Sequence, residues 1–149
     1  MKLVLGVLDV AYSDANGSGG STTTGDVAEG LEERYQVMTT FVGRYQDKIA
    51  GLLADSIAGA IQDLANGKPV DTAAPTFEGE QKIEQMFRQF IFSNEMGRSY
   101  AAMGIVLSAA AEAGVNHRKK HPYAQRDARP AFVDTGTYVA SFRAWTVKD

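Results

Sequence analysis

A chain of 149 residues, 44% hydrophobic and 22% charged with a formal net charge of −3, is sized for one buried core and too short to make two domains the expectation. It has no cysteine, which excludes a disulfide framework, a thiolate metal site and a cysteine nucleophile. No uncharged apolar stretch approaches the roughly 20 residues that a membrane span requires, so the sequence predicts a soluble domain over residues 1–149 with no membrane partner.

The chain opens Met1-Lys2-Leu3-Val4-Leu5-Gly6-Val7-Leu8-Asp9, and Asp9 interrupts the apolar run before a secretion-signal core is complete, so export is not expected. Apolar and β-branched residues from Leu3 to Tyr12 predict a strand over 2–12 with one well-buried face. Residues 13–25 are rich in Gly, Ser and Thr and from Asn16 to Gly25 hold nothing apolar to bury, which predicts a flexible loop. A phosphate cradle is excluded there, because no lysine stands beside the glycines.

Asp26, with Glu29 three residues on, reads as a helix cap. Leu31, Tyr35, Met38, Val42, Tyr45, Ile49 and Leu52 then follow at alternating spacings of four and three, and Ile57, Ile61 and Leu64 extend the stripe. That predicts one long helix over 26–66, with Gly43, Gly51 or Gly59 as the places for a bend and Asn66-Gly67-Lys68-Pro69 as the stop. The stripe can pack on the chain's own helices or on a second copy, and the first is favoured. Phe77, Ile83, Phe87, Phe90 and Ile91 predict a second helix over 77–92, and the Ala-, Leu- and Met-rich run before Gly114 a third over 98–113.

His117 to Pro130 has two prolines and no apolar period, which predicts an exposed, extended basic loop over 116–131. Its Arg118, Lys119, Lys120, Arg126 and Arg129 suit either an acidic protein surface or a phosphate backbone. The acids Asp26, Glu29, Glu32 and Glu33 offer such a surface on a neighbouring copy, and protein contact is favoured over DNA, with a merely solvated loop as the plain alternative to both. His117 and His121 share a metal-ligand spacing, but Pro122 and the lysines oppose both the helix and the cation. Asp134-Thr135-Gly136 reads as a structural turn before a short helical turn at Tyr138 and Val139. From Ser141 onward alternation predicts a terminal strand, and pairing it with the first strand is the simplest way to satisfy both backbones. The fold class is therefore α+β: one long and two shorter helices packed with a small antiparallel sheet from the two terminal strands.

Asp-Thr-Gly is also the active-site turn of aspartic proteases, which need two carboxylates sharing a proton. Only one such triplet is present, near the C-terminal end, with too little chain after it to build a barrel. No nucleophile–base pair accompanies it, so no enzyme, cofactor or metal is expected.

The segment Arg129 to Trp145, with Pro130 ahead of Phe132-Val133-Asp134-Thr135-Gly136 and Ser141 leading into a strand, resembles the minor-tail, tail-completion and neck protein group of tailed bacteriophages. The resemblance implies a virion structural protein, assembled in the host cytoplasm, that joins head to tail or completes the tail as part of a homo-oligomeric ring. Its partners would be further copies of itself, other neck or tail proteins and packaged DNA. The rival reading of the residues is a small helical nucleic-acid-binding or regulatory module. Against it stand the acidic balance and the absence of a helix-turn-helix or aromatic-stacking pattern.

Overall fold

A computed structural model describes residues 1–13, 19–115, 127–133 and 136–147. Strands β1 (Lys2–Val7), β2 (Ala11–Ser13) and β3 (Gly19–Thr23) lead into helices α1 (Thr24–Tyr35) and α2 (Val37–Ala65). Helices α3 (Phe77–Phe92), α4 (Glu95–Ala101), α5 (Ala109–Glu112) and α6 (Thr137–Ser141) follow, and β4 (Phe142–Val147) ends the described chain. The α+β class holds, including the sheet made by the two ends.

In that sheet β1 runs antiparallel to β4, with Lys2 opposite Val147 and Val7 opposite Phe142. Strand alternation gives each of them two faces. Leu3, Leu5 and Val7 pack with buried Phe142 and Ala144 on the inner face. Val4, Gly6 and Trp145 share the outer one, where a Cβ added at Gly6 would stand 2.9 Å from the Trp145 ring.

The inner face of the sheet is covered by α3 and α2. The Phe87 and Phe142 rings stack at 3.8 Å and 11°, and Phe41 of α2 meets Phe87 edge-on at 5.2 Å. Phe41, Phe87, Phe90, Phe142, Ile83 and Val37 are all buried to the last few per cent, so the core is largely aromatic. The close approach of α2 and α3 needs a residue without a side chain, since a Cβ at Gly79 would lie 2.7 Å from the Leu52 carbonyl oxygen.

The long helix is two helices. Its first turn is capped three residues before the predicted cap: the Thr23 hydroxyl accepts from Asp26 N–H at 3.2 Å, and the Asp26 carboxylate accepts from Thr23 N–H at 2.7 Å. Asp26 is thus the third helical residue of the box and not the cap. The break falls at Gln36 in the left-handed region (φ 51°, ψ 50°), and not at Gly43, Gly51 or Gly59, which lie within α2. Gln36 provides no side-chain cap. Glu32, from the last turn of α1, provides one instead, accepting from Met38 N–H at 2.8 Å and Thr39 N–H at 3.1 Å. A further departure from helical dihedrals sits at Tyr45.

Two other expectations are corrected. The predicted flexible loop at 13–25 lies partly outside the described residues, but 19–23 form β3 and pair with β2, Ala11 opposite Thr23. Buried Thr24 fixes that hairpin to the chain before it, its hydroxyl donating to the Leu8 carbonyl at 2.6 Å and accepting from Val10 N–H at 2.8 Å. The predicted helix over 98–113 is α4 and α5 with an irregular stretch between them, within which Gly104 has φ +76°. Helix α3 has the predicted bounds.

Candidate functional site

Of the basic residues singled out above, Arg118, Lys119, Lys120 and Arg126 lie outside the described residues, as do His117 and His121. Arg129 is described, and it does not stand free on a loop. Its guanidinium donates to the carbonyls of Val133 and Val115, each at 2.7 Å, and its N–H to that of Ala111 at 3.0 Å. A half-buried arginine in this position ties α5 to the segment before α6, a structural role in addition to any contact it makes with a partner. Within the structural turn, Asp134 and Thr135 lie outside the described residues, and Gly136 takes φ +84° at the start of α6, a conformation that suits glycine.

The acidic surface proposed to receive the basic residues is smaller than the sequence implies. Asp26 and Glu32 are engaged as helix caps, leaving exposed Glu29 and Glu33 on α1.

Three other carboxylates are equally committed. Glu80 and Glu84 stand one turn apart on α3, along the edge of β4 that β1 does not use. Glu80 accepts from Thr146 N–H at 2.8 Å and from the Thr146 and Thr76 hydroxyls, both at 2.9 Å; Glu84 accepts from Ala144 N–H at 3.2 Å. These side chains do for β4 what a further strand would do, satisfying its outward N–H groups. Sequence reading missed them, although two acids spaced i, i+4 on an amphipathic helix mark one face. Glu95, at the start of α4, accepts from the Tyr45 hydroxyl at 2.7 Å and from Arg44 at 2.9 Å. Burial alone would raise its pKa, but the hydrogen bonds from Tyr45, Arg44 and Ser93 and the Arg44 charge outweigh that and hold it below the ordinary glutamate value. Tyr45 is pushed up by burial and by the same carboxylate. The arrangement fixes α4 against the irregular turn of α2.

Chemistry of other kinds finds little support among the described residues. No group of three His, Asp or Glu side chains could hold a metal ion, and no helix is long and apolar enough to cross a membrane. Among the described residues the buried Tyr138 hydroxyl meets no hydrogen-bond partner, and burial pushes its pKa up. A shallow cleft of about 370 Å³ between distal α2 and residues 69–78 is lined by Ser56, Asp63, Val70, Asp71, Phe77 and Glu78. Asp63 in it is paired with Lys68 at 2.6 Å, and the lining supplies no nucleophile with a base beside it.

What the surface does offer is uncovered apolar area. On distal α2, Ile61 is 63% and Leu64 58% exposed, and Phe77 at the cleft is exposed as well. Ala50, Ala54, Ile57, Ile61 and Leu64 follow one another at the four–three spacing of a helix seam, and small residues flank them. Met103, Ile105 and Val106 make a second exposed cluster between α4 and α5.

Family models, curated proteins and solved structures give no match to this chain.

Proposed function

We propose that this chain is a non-enzymatic structural protein of a tailed-phage particle, working in head-tail joining or tail completion as part of a homo-oligomeric ring. The observation that carries the oligomeric part is distal α2, where Ile61 and Leu64 stand exposed on a helix seam continued by half-buried Ile57. The phage part rests on the resemblance of residues 129–145, to which the order of elements is suited: an N-terminal strand, a long helical region, a turn at Gly136 and a last strand paired with the first. Its partners are further copies and other neck or tail proteins, its place is the virion, and its assembly site is the host cytoplasm. The absence of catalysis is supported by how the conspicuous carboxylates are engaged, with Glu32, Glu80, Glu84 and Glu95 all held by main-chain or side-chain donors.

The test is electron microscopy of particles made without this protein. Tailless heads, headless tails or tails of irregular length are the expected results, each assigning a different step; particles of normal form and infectivity overturn the reading. Changing Arg118, Lys119 and Lys120 together to Glu tests the contact. If they meet exposed acids such as Glu29 and Glu33 of a neighbour, particle yield falls while the isolated protein keeps its fold. If they meet packaged DNA, particles form but retain their genome poorly, and the isolated wild-type protein binds duplex DNA with an affinity that drops steeply as salt rises.

A further inference from the structure

The two edges of the terminal sheet are treated in opposite ways. In an antiparallel pair, alternate residues turn their N–H and C=O groups toward the partner and the others turn them outward. Leu8 N–H donates to the Ser141 carbonyl at 2.8 Å, while Ala144 and Thr146 donate to Glu84 and Glu80. The register therefore assigns Lys2, Val4 and Gly6 to the bonds with β4, and directs Leu3, Leu5 and Val7 to the far edge of β1. Among the described residues no strand pairs with that edge and no hydrogen bond reaches the outward groups of Leu3, Leu5 and Val7, although α1 packs beside β1. One border of the sheet is closed by glutamates and the other is an open row of main-chain donors and acceptors.

Natural edge strands are protected by charges, prolines, bulges or a covering element. From Leu3 to Leu8, β1 has no charge, no proline and no bulge. We propose that in the free protein this edge is covered by β1 of a second copy, the two strands running antiparallel about a two-fold axis. The edge is complementary to itself: with Leu5 opposite Leu5 of the second copy, Leu3 faces its Val7, and the three outward residues of each strand form about six main-chain hydrogen bonds. The same register lays Lys2 of one copy beside the Leu8–Asp9 stretch of the other, placing a cation next to an anion and covering exposed Leu8 at both ends. Because Glu80 and Glu84 occupy the β4 edge, a copy cannot add there. The pairing therefore stops at two, which hides an aggregation-prone edge in the subunit before it assembles. This contact is distinct from the α2 seam and does not depend on the phage reading.

The experiment compares the wild-type protein with Leu5→Ala and Leu5→Pro by light scattering across a hundredfold concentration range. Both variants lose the same side chain from the inner face, but only proline removes the outward N–H at position 5. The expected result is a dimer for wild type and Leu5→Ala, and a dissociation constant raised at least tenfold for Leu5→Pro. Hydrogen exchange on the wild type supplies a second readout independent of folding in the variants. The Leu3, Leu5 and Val7 amides should become protected as concentration rises, while Val4 and Gly6 stay protected throughout. A monomer at every concentration with fast exchange at all three amides overturns the proposal. So does a dimer in which those amides stay fast, or one abolished by Ile61→Glu and untouched by Leu5→Pro, which would assign association to the helix seam.

Discussion

The two halves of α2 carry similar apolar residues and meet different fates. In the first half Val37, Phe41 and Ile49 are sealed by α3 and the sheet; in the second, Ile61 and Leu64 stand in solvent. Helix α3 runs from Phe77 to Phe92 and the apolar cluster it builds reaches α2 no further along than Leu53, so the distal half of α2, a helix of about 43 Å at 1.5 Å per residue, outruns its cover. A hydrophobic period tells which side of a helix wants to be buried. Whether the chain itself has enough structure to bury it is a separate matter, decided by the length of the neighbouring elements.

The largest effect expected from a single change is Phe41→Ala, which empties the centre of the ring cluster and should cost about 3–5 kcal/mol of stability; a denaturant midpoint little changed would refute the description of proximal α2 as core. Gly79→Ala pushes a methyl group against the Leu52 carbonyl and should cost about 1–3 kcal/mol, again by denaturant unfolding. Glu32→Ala leaves the start of α2 without the side-chain cap that accepts from Met38 and Thr39 and should cost about 1–2 kcal/mol, with amide exchange at Met38 and Thr39 accelerating first.

Smaller still is Glu95. Its folded pKa lies below the ordinary value of 4.5, so it contributes stability that is present above that pH and is lost as pH falls through the folded value. Glu95→Gln should therefore flatten the acid limb of the stability profile below about pH 4.5 and alter the slope near neutrality little; an unchanged acid limb would mean the Tyr45–Arg44–Glu95 contact is not held in solution. Least of all, Ile61→Ser should move the unfolding free energy by no more than about 0.5 kcal/mol while lowering the mass of larger assemblies in light scattering. A large loss of monomer stability would show that distal α2 is covered after all.

Much of the architecture was legible because it rests on local periodicity. Helix α3 matches its predicted bounds, and the strands at the two ends pair as backbone satisfaction requires. The failures share a cause in longer-range hydrogen bonding. Nothing at Gln36 marks a left-handed break, which becomes tolerable because Glu32 reaches across it to cap the next helix. That break and the irregular turn at Tyr45 shift the phase of the stripe. The core takes Val37 and Phe41, while Val42, predicted to point inward, is exposed. The hairpin of β2 and β3 was invisible because its anchor is the Thr24 hydroxyl, held by Leu8 and Val10, and because β3 has no apolar residue to betray pairing. The Thr23–Asp26 capping box, by contrast, was present in the sequence and was read three residues too late. At the site level, the basic residues were legible as a cluster, but Arg129's turn onto three carbonyl-bearing segments depends on a tertiary arrangement that composition does not encode.

The pairing of β1 with β4 also sets an order of events when the chain is made. Lys2 can meet Val147 only after the intervening chain has been synthesised, and at about 5–20 residues per second this leaves the first strand waiting roughly 7–30 s. Throughout that interval both of its edges are open, and the stacking of Phe87 on Phe142 that roofs it is missing as well. Helices α1 to α3 can form and associate in the meantime from contacts closer in sequence, so the slow closing of a loop spanning nearly the whole chain is the expected last step of folding. A nascent chain stalled before Phe142 should hence be more prone to capture by chaperones than one stalled after Val147, a difference that ribosome-bound intermediates of the two lengths would reveal.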